Sequence, residues 1–432
     1  MRKRDSLKGL LQDSTSVKAT LNMKFVLITT LGFAVLPGQF TFAQTWTLTS
    51  APITNWHAVA SSADGARLVA VSGGAVQGGP IFISTNSGGT WMPSSAPIQK
   101  WYSVASSADG TRLIATPSSG GVTYMSADSG VTWTPANVET SLSLYFNYWS
   151  SAAASADGTR LVIGFYDSVH HYGGIASSID SGTNWMRLTN APATVSLASS
   201  ADGTKLLAGS GPCCGPSVGG SGTFGTSTNS GATWMGTGVD SGFWNAVASS
   251  ADGNRLVAAV YGGAIYVSAD SGASWMPTTA PTGNWMAVAS SADGSKLIAL
   301  QGGGLFIPGP GYGGPVYTST DSGATWTSNN VPDAFAVASS ADGNKLVAVV
   351  NGGGIWTSQS TPTPVLNISQ SGTNLLLSWL VPSMDFVLQQ NPDVTTTNWT
   401  YVPTAQTLNF SDLQYEVTLS LLRDQRFYRL KH

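Results

Sequence analysis

Two stretches hold most of the reactive side chains that stand outside any repeat: Tyr145-Phe146-Asn147-Tyr148 and Tyr166-Asp167-Ser168-Val169-His170-His171-Tyr172. A metal ion there would need a third ligand beside His170 and His171, with Asp167 the local choice. Adjacent side chains on an extended chain point to opposite faces, so no metal site is expected. Aromatic groups with few charges suit a sugar- or peptide-binding surface better. A solvated or self-packed insert loop is the plain reading that such a surface has to displace. His57 follows Trp56, and the same place beside other tryptophans holds Tyr102, Asn245 and Met286, so His57 reads as structural. Glycoside hydrolysis needs two carboxylates about 5–10 Å apart. The free-standing acids Glu139, Asp167, Asp240 and Asp333 are scattered, and nothing in the sequence pairs them. Cys213 and Cys214 are adjacent, able to form a vicinal disulfide or to stay thiols, with no local His or acid to complete a metal site. No phosphate-cradling Gly-Lys-Ser/Thr and no EF-type loop occurs, so no cofactor is expected.

The remaining acids belong to repeats. Ser-Ala-Asp-Gly recurs seven times, with Asp at 64, 109, 157, 202, 252, 293 and 342, in steps of 41 to 50 residues. Short β-branched runs and Gly turns at such a period predict a β-propeller. In the fifth unit Trp244 opens a first strand, Asp252-Gly253 turns it, and two more runs follow before Ser268-Ala-Asp-Ser-Gly-Ala-Ser-Trp275 makes a second turn. That turn recurs at Ser84–Trp91, Ser126–Trp133, Ser178–Trp185 (with Asn184 in the Thr position), Ser227–Trp234 and Ser319–Trp326. Its acid position holds Asn86, Asp128, Asp180, Asn229, Asp270 and Asp321. Asn accepts the same hydrogen bonds as Asp but is no general base, so repetition without charge argues for scaffold. The basic residue after each Asp-Gly alternates between Arg and Lys (Arg67, Arg112, Arg160, Lys205, Arg255, Lys296, Lys345), which bidentate recognition does not tolerate. Each Asp-box Trp is expected to be buried between sheets, hiding roughly 150–250 Å².

The seventh unit lacks its Asp box after Ser358, whereas Gln44-Thr45-Trp46-Thr47-Leu48 matches the tail of a unit. The N-terminus should therefore supply the last strand and seal the ring. The expected fold is all-β: a seven-bladed propeller over 44–360, a Thr-Pro-Thr-Pro linker at 361–364, and a small fibronectin-III- or Ig-like β-sandwich at 365–432 of the kind that serves as spacer or attachment module. Residues 1–43 read as an export signal, with basic residues before the apolar run Phe25–Leu36 and a start at Met23 giving ordinary length. A secreted, periplasmic or envelope-associated monomer follows, without a membrane span once the signal is removed.

The chain has 10% aromatic residues, 9% charged residues and 15 Trp, a composition with ample surface to bury. Six of its 19 basic residues precede residue 25, leaving 13 against 20 acids, a balance that excludes nucleic acid as a partner. The six Asp-box turns resemble those of bacterial-neuraminidase-type repeats. Over 44–360 the chain is similar to the photosystem II assembly and stability factor family and, distantly, to sortilin-type and sialidase-type propellers. The first two imply polypeptide binding without catalysis; the likeness covers repeat grammar and carries over no partner. Sialidases resemble six-bladed rings with three arginines and a Tyr/Glu pair, whereas here Arg187 is the one propeller arginine outside the repeat position. Xyloglucanase-type enzymes set two such propellers face to face. The expectation is thus a non-enzymatic scaffold for a polypeptide or glycan on the irregular loops. A glycoside hydrolase and an envelope display protein are the alternatives. The irregular loops are residues 72–80, 138–148, 164–174, 210–222 and 302–315, all at one end of the ring.

Overall fold

A computed structural model describes residues 45–431 apart from 74–76, 119, 143–146, 168–171, 193–195, 211–223, 240–241, 303–312, 361–365, 372–373, 381–386, 393–395, 397, 411 and 421–425. Apart from one helical turn at Val138–Ser141, the regular structure is antiparallel sheet. Five consecutive four-stranded units occupy residues 54–93, 101–135, 147–187, 196–236 and 244–277. A sixth runs from Gly283 into strand Thr327–Ser339, which continues without a loop into the first strand of the seventh. The seventh is completed by Lys345–Gly353, Ile355–Gln359 and the N-terminal strand Trp46–Leu48, paired Trp46↔Ser358 and Leu48↔Trp356. The strand borrowed from the N-terminus thus closes the ring.

The second strand of each unit is packed on both faces by neighbouring units, so it reads as an unbroken apolar run. Leu68–Ser72 and Leu113–Pro117 are buried at every position. The first strands are innermost and touch one another all the way round. A backbone circle ties them together: Ala63 N–H donates to the Ala108 carbonyl, Ala108 to Ala156, then Ala201, Ala251, Ala292, Ala341 and back to Ala63, at 2.6–2.8 Å. These are the alanines of Ser-Ala-Asp-Gly. Their amides would otherwise be orphaned in the apolar centre, at a cost of about 1–3 kcal/mol each. The basic residues make a second tie. Arg160 reaches Ser230 Oγ at 3.0 Å, Arg255 reaches Ser322 Oγ at 2.8 Å and Lys345 reaches Ser87 Oγ at 3.3 Å, each bridging to the following unit's Asp box. Their stems lie against the turn glycine of that unit; a Cβ on Gly294, at φ +69°, would sit 2.5 Å from Arg255 Cβ.

The fully enclosed tryptophans of the propeller are not those of the Asp box. Trp56, Trp101, Trp149, Trp244 and Trp285 of the first strands are fully enclosed, while Trp91, Trp133, Trp234, Trp275 and Trp326 are half-buried and only Trp185 is buried. The Asp-box ring lies on the outermost strand, where solvent reaches one edge. Its indole N–H turns back to its own turn, as in Trp133 Nε1 to the Gly130 carbonyl at 3.0 Å. The burial expected of these rings was therefore too large.

Beyond the ring, Asn367–Ser371, Asn374–Leu380, Gln414–Ser420 and Thr407–Asn409 form one sheet, and Thr400–Tyr401, Val387–Asn391 and Phe427–Lys431 another. Leu377, Trp379, Leu388, Tyr415 and Val417 fill the space between them. The same apolar cluster contains Ala63, Ala251, Ala292 and Ala341 of the backbone circle. This module is thus packed on the centre of the propeller rather than held away from it as a spacer.

Candidate functional site

Antiparallel order puts both repeated turns of a unit at one end of the ring and the irregular connections at the other. At the turn end every repeated carboxylate is already bonded within its own turn. Asp109 accepts from Ser107 Oγ at 2.6 Å and from the Thr111 amide at 2.9 Å, and the equivalent bonds recur at Asp64, Asp157, Asp202, Asp252, Asp293 and Asp342. Burial works to raise the Asp109 carboxyl, but these donors outweigh it and hold it below the usual carboxylate range. In the Asp boxes, the hydroxyl and amide of Thr132 with Ser126 Oγ pull Asp128 down to about 2. Asn86 and Asn229 accept the same amide bond, at 2.8 and 2.9 Å from Thr90 and Thr233. Asp342, in the seventh unit that lacks an Asp box, is the exception: burial raises it, and Asn344 bridges it to the half-buried Lys296 of the sixth unit. A carboxylate with its lone pairs engaged and its proton released is a poor general acid.

At the loop end the third unit extends furthest. Its strands Asn147–Ala154, Leu161–Asp167 and Tyr172–Ser178 pair Asn147↔Asp167, Tyr148↔Tyr166 and Asp167↔Tyr172, making ladder where an irregular insert was expected. Tyr148 and Tyr166 are directly opposite, Tyr148 at 53% exposure and Tyr166 half-buried. Arg187 lies 5.8 Å from the Phe165 ring beneath them. Of Asp167 and Tyr172 the backbone alone is described; Tyr145, Phe146, His170, His171, Cys213 and Cys214 lie outside the described residues. Other large apolar side chains described at the loop end include Ile53 (81% exposed), Ile98 (73%) and Phe243 (49%), each one to three residues before a first-strand Trp. Among the described residues no group of three or more His, Cys, Asp or Glu could hold a metal ion.

One feature of the loop end escaped the sequence reading. Six first strands shift register by one residue just after their Trp, or Ala334 in the seventh unit: between Trp56/Ala58, Trp101/Ser103, Trp149/Ser151, Trp244/Ala246, Trp285/Ala287 and Ala334/Ala336. A β-bulge re-aims the extra side chain. The extra residues are His57, Tyr102, Ser150, Asn245, Met286 and Phe335. They lie at the loop end of the innermost strands, and three neighbouring pairs, His57 with Tyr102, Phe335 with His57 and Asn245 with Met286, are in contact. His57 Nδ1 is 2.8 Å from the Tyr102 carbonyl, and its ring lies 4.4 Å from Tyr102 and 5.1 Å from Phe335. Asn245 Nδ2 donates to the Trp285 carbonyl at 3.0 Å and lies 3.7 Å from Met286 Sδ. Burial drives His57 down to about 4, only partly offset by the bond to Tyr102, so near neutral pH the ring is uncharged and Nδ1–H is the donor. The signal was present in the sequence. Trp and Val three residues apart (Trp56/Val59, Trp101/Val104, Trp244/Val247) share one apolar cluster, an odd spacing that an unbroken strand cannot place on one face.

No family model matches the chain, and no curated protein matches it in sequence. Among solved structures, YCF48 from Cyanidioschyzon merolae aligns at a TM-score of 0.52 and 17% identity, over 74% of this chain and 99% of that one. YCF48 bound to D1 peptide aligns equally, over 74% of this chain and 98% of the other. A GH74 xyloglucanase from Xanthomonas campestris aligns at 0.45 and 15% identity, over 75% of this chain and 70% of that one. The likeness is one of fold.

Proposed function

We propose that this chain is an exported, non-catalytic, monomeric scaffold whose loop end binds a polypeptide. The observation that carries the reading is the division between the two ends. Repeated acids are saturated within their turns, whereas the irregular connections vary from unit to unit and present Ile53, Ile98, Tyr148 and Phe243 to solvent. Loops on a rigid ring are where recognition concentrates. The alignment with nearly the full length of a propeller holding a peptide supports a polypeptide over a glycan.

The test is panning of a displayed random peptide library on the purified protein. Selected peptides should bind saturably, lose at least tenfold in affinity with Ile98→Lys or Tyr148→Lys, and keep it with Met276→Lys on an outermost strand. Failure to select any such peptide would count against the proposal. So would hydrolysis of a fluorogenic glycoside that disappears with Asp167→Asn or Glu139→Gln, which would establish the glycosidase alternative.

A further inference from the structure

The bulge lets the first-strand Trp and the Val three residues on share one buried face, but that packing does not dictate the extra residue of the shift, which recurs at the same place in six units. Its occupants are chemically unalike, so they are not a repeated structural part like the Ser-Ala-Asp-Gly turn. The corresponding residue of the fourth unit, Val195, lies outside the described residues.

The Nδ1–H of His57 and the amide of Asn245 are given to carbonyls of the next unit, at 2.8 and 3.0 Å. Tyr102 and Phe335, both half-exposed, flank the nearly buried His57, and the half-exposed Met286 lies against Asn245, so ring surface and thioether predominate beside the neutral Tyr102 hydroxyl. From the bulge to the Ser-Ala-Asp-Gly turn, the innermost strands carry no Asp, Glu, Lys or Arg. Such a lining rejects an ion, which would lose hydration without a counter-charge, and accepts an apolar or aromatic group.

Resting on the polypeptide-binding reading above, we propose that His57, Tyr102, Asn245, Met286 and Phe335 form a collar at the loop end of the axis that receives one uncharged aromatic or aliphatic side chain of the bound polypeptide. The collar is a specificity subsite: it selects which residue of the ligand is anchored, while the surrounding loops hold its backbone.

The probe is N-acetyl-phenylalanine amide, with N-acetyl-aspartate amide as the charged control, titrated into full-length protein labelled on methionine methyls and histidine rings. The Met286 methyl and His57 ring signals should shift saturably with the aromatic probe and bind the aspartate probe at least tenfold more weakly. Met286→Leu should retain binding and Met286→Glu should lose it. The wild-type shifts decide the matter even if Met286→Glu fails to fold. No saturable shift at these residues, or equal response to both probes, overturns the collar. If peptides selected by panning still bind at Ile98 and Tyr148, the scaffold reading survives that loss; if no peptide binds, both fall.

Discussion

Acid should unfold this protein through His57 before it does so through the carboxylates. The ring is nearly buried between Tyr102 and Phe335, and burial holds its pKa at about 4 against an ordinary 6.5. Because the folded value is depressed for a base, the unfolded chain binds the proton more readily. Stability is then complete above the unfolded pKa and is lost as pH falls from 6.5 towards 4. Linkage gives a loss of about 1.4 kcal/mol at pH 5.5 and about 3 kcal/mol at pH 4, a large part of the stability of an ordinary domain. Asp109 and Asp128, whose folded values are depressed, give up their contribution only below the usual carboxylate range, and Asp342, raised by burial, acts in the opposite sense. The perturbation that isolates the imidazole is His57→Asn, since Asn245 fills the same bulge and donates to the next unit's backbone as His57 does. Urea unfolding followed by tryptophan fluorescence at pH 7, 5.5 and 4 should show the wild type losing about 3 kcal/mol more than the variant over that range. Parallel pH profiles for the two proteins would refute the argument that the ring is folded in its neutral form.

Trimming residues 44–50 removes the strand paired with Ile355–Gln359 and the half-buried Trp46; the melting temperature should fall by about 5–10 °C, and an unchanged melt would mean that the ring closes without it. Asp128→Asn should leave the melt unaltered, because Asn86 accepts the equivalent bonds, whereas Asp128→Ala should lower it; equal effects would give the charge a role beyond the turn. Deleting residues 366–431 should speed amide exchange at Ala63, Ala251, Ala292 and Ala341 by about tenfold, as measured by NMR. Unchanged protection would mean that the module does not cover the circle.

What could be read beforehand follows from how local each device is. The Asp-Gly and Asp-box turns announce themselves because their bonds run between residues two to five positions apart, as from Ser62 to Asp64 and Arg67. The strand missing after Ser358 and the spare one at Trp46 were visible as two halves of a period. The docking of the C-terminal module was not, because Ala63 and Ala341 are small, apolar and identical to alanines buried anywhere else. Nor were the bulges, although the Trp-x-x-Val spacing marks them. Substituting Tyr102, Asn245 or Met286 for His57 looked like indifference while the strand was taken as regular. Once the bulge is known, the same variety at an innermost position is what a site tuned residue by residue would show.

The two ends of the ring are therefore unequal for a physical reason. At the turn end, Ala63, Ala251, Ala292 and Ala341 lie in one apolar cluster with Trp379 and Tyr415, so the centre there is already occupied by the chain itself. The carboxylates around it are committed to Ser and Thr hydroxyls and backbone amides. A ligand approaching the axis from that side would have to displace packed apolar surface and break internal hydrogen bonds at once, at a cost of several kcal/mol. At the other end Ile53, Ile98, Tyr148 and Phe243 are already in water, and covering them is favourable by about 25 cal/mol per Å². The module thus does more than lengthen the chain: it covers the centre of one face of the ring and leaves the other as the face where the proposed polypeptide would dock.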